Sequence, residues 1–398
     1  MSVAQPLIVP RGFRASAVKA GIKPSGNLDL ALLASDVPCA AVGTFTTNRI
    51  AAAPVRWDRA LLPSARARGV VINAGNANAA TGAEGLANAR ATAEAVAEGL
   101  GCDPEAILVA STGVIGHQLP MDRVRAGVAR AIRELTHDES SFRAASEAIL
   151  TTDTRPKVVC RKVEVGGAEV RLLGIGKGAA MIGPRMATML GFLLTDARID
   201  PVAWSATLAR AVDRSFNCIS VEGHESTNDT VLLLASGEAG GEVLGGDSPL
   251  AATVEEACVE LARMIPGDGE GSTHRITIDV EGAADREEAR AIARSVADSP
   301  LVKTAVHGAD PNWGRIVSAA GSSGVPFDEA ELSLWVNGVP LYRDGAPLGF
   351  DAAAVSADLR GNRETSIRLA LRRGPASIRF WTCDLTADYI RLNADYTT

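Results

Sequence analysis

Short runs of β-branched and aliphatic residues recur along the chain, each bounded by glycine or polar residues. They fall at 70–72, 107–110, 170–173, 231–235, 276–280, 332–336 and 378–381, and their length and flanks predict strands. Between them lie alanine-rich amphipathic stretches at 85–100, 121–135, 141–150, 201–216, 249–265 and 285–297, which predict helices. In the last of these Ala289, Ile292, Ala293 and Val296 repeat at helical spacing with charges on the opposite side. The alternation of the two patterns is that of an α/β or α+β enzyme. No Pro/Ser-rich linker divides the chain. Residues 236–247, rich in glycine and acidic side chains, separate a predicted strand from a predicted helix and read as a surface loop. Residues 73–82, Asn-Ala-Gly-Asn-Ala-Asn-Ala-Ala-Thr-Gly, also follow a strand and precede a helix. Backbone N–H groups in such a place can face a ligand; a plain turn and helix cap fits the same residues.

Composition narrows the function. A chain of 398 residues implies two or three domains at about 150 residues each, and it can bury enough surface to need no disulfide or metal staple. The net charge is −7, and aromatic residues are 4%, against a nucleic-acid binder. The longest apolar runs, 190–194 and 231–235, are far too short to span a bilayer. Residues 1–12 lack a basic segment followed by an apolar core, so the expected location is the cytoplasm. Six cysteines stand singly with no C-x-x-C pair, which excludes a zinc ribbon and a thioredoxin-type centre and leaves buried free thiols. The five histidines show no metal-ligand spacing, and no metal is expected.

The segment 174–197 carries the most chemistry. Its glycines do not make a Walker A loop, because Gly178 rather than Ser or Thr follows Lys177. Lys177 is one of only 6 lysines against 34 arginines, and it sits among glycines. Further on, Met186-Ala187-Thr188-Met189-Leu190 places a small residue before a threonine and an apolar, strand-like run. A threonine hydroxyl becomes a good nucleophile when a base adjoins it, and its own α-amine is one such base. That amine is free only if the chain is cut before Thr188. A core threonine fits the same five residues.

The segment from Lys177 to Leu190, Lys-Gly-Ala-Ala-Met-Ile-Gly-Pro-Arg-Met-Ala-Thr-Met-Leu, closely resembles the signature of the ornithine acetyltransferase (glutamate N-acetyltransferase) family of arginine biosynthesis. Matching segments follow in order along essentially the whole chain. They are 21–26, 73–82, 111–116, 151–153, 226–230, 270–273, 301–304, 310–315 and the tail 393–398.

The resemblance implies self-cleavage between Ala187 and Thr188, giving an α chain of residues 1–187 and a β chain of residues 188–398. The two fragments would form one interwoven unit. It also implies a layered α-β-β-α sandwich similar to that of self-processing aminopeptidases, and an assembly of two α and two β fragments. Thr188 would take acetyl from N-acetylornithine and pass it to glutamate. Thr112 and Gly113 match the family's oxyanion hole. Thr151 (with Thr152 adjacent), Lys177, Thr188, Glu270, Asn393 and Thr398 match its substrate-binding positions. Lys177 can meet a carboxylate and Glu270 an ammonium. No cofactor is implied; acetyl-CoA is a candidate second donor.

Some positions depart from the family pattern: Ala180 in place of glycine, Gly183 in place of a larger residue, Arg185 near the cut, and Glu222-Gly-His-Glu-Ser-Thr227 in place of Asp-Gly-Asp-Thr-Ser-Thr. The stretch 310–315 reads as turn and packing. Two alternatives stand beside the transferase: an amidase or aminopeptidase with water as acceptor, and an unprocessed homologue that binds amino acids.

Overall fold

The computed structural model describes residues 6–183 and 189–395. Its first part contains β1 (Phe13–Val18), β2 (Leu30–Phe45), α1 (Ala53–Leu61), β3 (Ser64–Asn76), α2 (Gly82–Leu100), β4 (Ile107–Val114), α3 (Met121–Arg133) and α4 (Glu139–Ala148). Then come β5 (Lys157–Val165), β6 (Ala168–Lys177), β7 (Leu190–Thr195), α5 (Pro201–Asp213), β8 (Thr230–Ala235) and α6 (Pro249–Met264). The remainder is β9 (Arg275–Ala283), α7 (Arg286–Ala297), α8 (Pro300–His307), α9 (Trp313–Gly321), β10 (Ser333–Val336), β11 (Val339–Arg343) and β12 (Ala346–Pro347). It closes with α10 (Ala352–Gly361), β13 (Glu364–Ala370), β14 (Ala376–Cys383) and α11 (Ala387–Asp395).

The larger sheet has eight strands in the order β4-β3-β2-β8-β7-β6-β5, with β1 on β2. Strand β2 belongs to two leaves of it. Residues 30–34 pair with β3, residues 40–45 pair with β8, and the register shifts between Ala34, Cys39 and Ala41. Such irregularities bend a strand. Side chains then alternate between layers: Leu30 and Leu32 pack with α2 and α3, whereas Ala31 and Leu33 join a core shared with Phe192, Leu194, Leu232 and Leu234 of the other leaf. The opposite face of that leaf, with Leu193, Val231 and Leu233, packs with Trp204, Leu208 and Leu261 of α5 and α6. Helix, leaf, leaf, helix is the expected α-β-β-α sandwich, made here by one bent sheet with Phe142 of α4 between the leaves.

A second sheet of six strands, in the order β12-β11-β10-β13-β9-β14, carries α7 on one face. The stripe foreseen on α7 is buried at Ala289, Ile292, Ala293 and Val296, and Asp285 caps the helix by accepting from Glu288 N–H. The seven predicted strands and six predicted helices all fall on observed elements. Residues 236–247 lie, as expected, in the connection from β8 to α6. Among the described residues no helix is long and apolar enough to cross a membrane. All six cysteines are free; Cys39, Cys218, Cys258 and Cys383 are buried, but Cys102 and Cys160 only half so.

Candidate active site

Parallel strands β3 and β4 end side by side, with Gly75 opposite Gly113. Gly113 has φ +132°, and a Cβ there would stand 2.4 Å from the carbonyl carbon of Gly75. Only glycine fits so close an approach of two backbones. The turn is held from outside the pair: Asn228 Nδ2 donates to Ala77 O (2.6 Å) and to Ser111 O (2.8 Å). Beyond it opens a cavity of about 200 Å³ lined by Thr112, Gly113, Thr151, Thr152, Ala180, Met181, Glu222, His224, Ser226, Thr227, Asn228, Glu270, Tyr389 and Asn393, with Ala77 and Ile115. Thr112, Gly113, Thr151, Glu270 and Asn393, scattered along the chain, thus meet at one cavity. Ala187, Thr188, Arg185 and Thr398 lie outside the described residues. The next residue, Met189, is described: its N–H donates to Asp229 Oδ1 at 2.9 Å, and it leads directly into β7.

Lys177, at the end of β6, is buried behind the cavity wall. Its ammonium does not line the cavity but donates to Thr112 Oγ1 (3.1 Å) and Thr151 Oγ1 (2.9 Å), two hydroxyls that do. Lys177 thus stands behind two hydroxyls of the lining rather than in the lining itself. Burial pushes the Lys177 pKa down, opposed by the Asp153 carboxylate. Asp153 itself, raised by burial, is pulled below the usual carboxylate range by Lys177 and Lys157. It accepts from Gly178 N–H at 2.6 Å and from Lys157 at 2.7 Å.

The segment before residue 184 is clamped by the loop after residue 219. Ile182 O accepts from Val221 N–H (2.8 Å) and Gly223 N–H (3.1 Å), and Ile182 N–H donates to Glu222 Oε1 (2.6 Å). A Cβ at Gly183 would lie 2.5 Å from the Gly223 carbonyl carbon and 2.8 Å from His224 N. Gly183, one departure from the family pattern, thus packs against the backbone of the loop that carries two others, Glu222 and His224. On the far side Glu270 N–H donates to Ala179 O (3.1 Å), and Asn393 Nδ2 of α11 donates to Glu270 Oε2 (2.8 Å). The tail helix is therefore docked on the cavity.

Sequence reasoning passed over Glu222, His224, Tyr389 and Asp229 as site residues. The signal for the first two was present, because they occupy the very segment that departs from the family's. Among the described residues no group of histidine, cysteine and carboxylate side chains could hold a metal ion.

A bent-sheet α-β-β-α sandwich with Thr112 and Gly113 at the cavity fits an enzyme of acyl transfer. The chain belongs to the ArgJ family, which it matches over residues 14–398. It is 47% identical to the arginine biosynthesis bifunctional protein ArgJ of Parasynechococcus marenigrum, over 98% of this chain and 94% of that one. It is 48% identical to the protein of the same name from Thermus thermophilus, over 98% and 99%. A solved ArgJ chain from Bacillus halodurans superposes with a TM-score of 0.51 at 38% identity, covering 52% of this chain and 100% of that one. The family makes this chain an acyltransferase of arginine biosynthesis.

Proposed function

We propose that the chain cuts itself between Ala187 and Thr188 and that the mature Thr188 carries acetyl from N-acetylornithine to glutamate. In the first phase the Thr188 hydroxyl attacks the Ala187 carbonyl, the acyl group moves from nitrogen to oxygen, and water hydrolyses the ester. The freed α-amine, with an ordinary pKa of about 7.7–8.0, serves as the general base for its own hydroxyl. Thr188 then attacks the acetyl carbonyl, and ornithine leaves with the proton taken from the hydroxyl; the glutamate amine attacks the acetyl-threonine, the ester bond to Thr188 breaks, N-acetylglutamate leaves, and the amine's proton returns to the Thr188 oxygen.

The observation that carries this reading is the Thr112 hydroxyl. Its oxygen accepts from the Lys177 ammonium, so its own proton is free to donate elsewhere, and with Gly113 N–H it offers two donors to a tetrahedral oxyanion. Thr151, Glu270, Asn393 and Thr398 surround the substrate, with Lys177 acting through Thr112 and Thr151. The division into residues 1–187 and 188–398 draws support from chain lengths. Curated relatives match this chain almost end to end, whereas the whole Bacillus halodurans chain matches about half of it. In this reading no cofactor is needed, two copies of each fragment assemble, and the enzyme works in the cytoplasm.

Denaturing mass spectrometry of the purified protein tests the first phase. Two fragments meeting at Ala187/Thr188 are expected, and a single chain from Thr188→Ala; a Thr188→Ala protein still cut there would overturn self-processing. Assays with N-acetylornithine and either glutamate or water test the second phase, since release of acetate in place of N-acetylglutamate would make the enzyme a hydrolase. Acetyl-CoA with glutamate, without N-acetylornithine, tests the second donor.

A further inference from the structure

The proposed transfer, on which this inference rests, sets one cavity an electrostatic problem. The donor N-acetylornithine carries an ammonium at the end of its side chain, whereas the acceptor glutamate carries a carboxylate there. Both must bring their α-nitrogen to the same nucleophile, so opposite charges visit the same end of the cavity in turn. A fixed anion would favour the first and repel the second.

Two carboxyl groups line the cavity, Glu222 and Glu270. Glu270 Oε2 already accepts from Asn393. Glu222 likewise has one oxygen held, Oε1 by Ile182 N–H at 2.6 Å, but its Oε2 is shielded from solvent and has no hydrogen-bond partner among the described residues. A solvent-shielded carboxyl oxygen left unpaired is costly as an anion and cheap as a neutral acid. We infer that Glu222 is the specificity residue that lets one pocket take both substrates: ionised, its carboxylate at the cavity wall attracts the ornithine ammonium; protonated, it no longer repels the glutamate side-chain carboxylate.

The surroundings hold this group near its midpoint. Burial raises its pKa to about 8, Glu270 and Asp298 push the same way, and Lys303 and the Ile182 N–H oppose them. Tyr389, Cys383 and His224 are the other titratable groups close by. At pH 7 a carboxyl with that pKa is about nine-tenths protonated, and an arriving cation shifts the balance at small cost. At pH 7 binding of the donor then releases up to about nine-tenths of a proton to solvent, whereas binding of glutamate takes up only about one-tenth.

Glu222→Gln keeps an acceptor for Ile182 N–H and the neutral state that suits glutamate, but it cannot ionise. With both substrates assayed separately, the KM for N-acetylornithine is expected to rise about tenfold and the KM for glutamate to stay within about threefold. In the native enzyme the N-acetylornithine KM should fall between pH 6.5 and 8.5 and the glutamate KM should rise; E222Q should lose both trends. Equal changes in the two KM values, or trends that persist in E222Q, would overturn the inference while leaving the transfer reaction intact. Native enzyme that moves no acetyl from N-acetylornithine would instead remove the reading beneath it.

Discussion

The Lys177 ammonium stands 3.1 Å from Thr112 Oγ1, with a second bond to Thr151 Oγ1 at 2.9 Å. An ammonium only donates, so both hydroxyls accept from it and keep their own protons for the cavity. Thr112→Val removes one such donor without changing shape, and acetyl transfer should fall about 10²–10³-fold in kcat. Thr112→Ser should recover to within about tenfold of the native rate. Steady-state assays on protein shown by mass spectrometry to be processed separate this effect from a failure of self-cleavage. A Thr112→Val enzyme with native kcat would dismiss the hydroxyl from catalysis.

Gly113, at the end of β4, and Gly116, just beyond it, give a controlled comparison. Both have positive φ, +132° and +87°, but a Cβ at Gly113 meets the Gly75 and Asn76 backbone within 2.5 Å, whereas at Gly116 nothing lies within 4 Å. Gly116→Ala should cost only conformational strain, about 1–2 kcal/mol. Gly113→Ala adds a clash that neither strand can relieve, about 2–4 kcal/mol in all, and should abolish transfer. Thermal melts of the two variants check the ranking, and equal Tm losses would contradict it.

Lys157 is buried between Asp153 (2.7 Å) and Asp268 (2.7 Å). Lys157→Met leaves Asp268 without its cation and Asp153 with Lys177 alone, and should destabilise the fold by about 3–5 kcal/mol, measured by urea unfolding. The same cluster fixes the sign of an acid effect. Burial alone would raise Asp153, yet Lys177 and Lys157 bring its folded pKa below the ordinary 3.8. The folded state therefore binds fewer protons there than the unfolded state. The stability this supplies is present above the unfolded value and lost as pH falls through the lower, folded one. Asp153→Asn should flatten the loss of stability below about pH 4; an unchanged acid profile would assign the effect to other carboxylates.

Much of this was legible in the chain, though unevenly. Strong stripes such as that of α7 announced their elements because burial on one face imposes a period. Strand β2 did not, since Asp36, Val37 and Pro38 break its apolar run where the two leaves diverge, with Asp36 and Pro38 exposed, and a bend reads like a turn. Helices α8 to α11 went unseen because they are short, and α11 buries none of its residues. Ordered matches to a family pointed to Thr112, Gly113, Thr151, Glu270 and Asn393, yet spacing along the chain could not show that Lys177 lies behind the cavity wall. Glu222 was hidden for a related reason. The departure of residues 222–227 from the family pattern marked the segment, but only the packing of Ile182 and Gly183 against residues 221–224 reveals Glu222 as shielded.

The tail helix α11 offers the last test, because so little holds it. Asn393 donates to Glu270, Thr386 Oγ1 donates to Gly271 O at 2.8 Å, and Ile390 and Leu392 remain exposed. Gly271 makes this docking possible: its φ is +67°, and a Cβ there would stand 2.7 Å from Tyr389 N. Gly271→Ala should therefore push α11 off the Glu270 loop while leaving the sandwich intact. The expected result is a KM for N-acetylornithine raised about tenfold or more, with Tm lowered by only a few degrees and cleavage at Ala187/Thr188 still complete. A tag added after Thr398 should act in the same direction through the same displacement. If both proteins transfer acetyl with native KM, the tail is a bystander, and Asn393 and Thr398 leave the substrate-binding set.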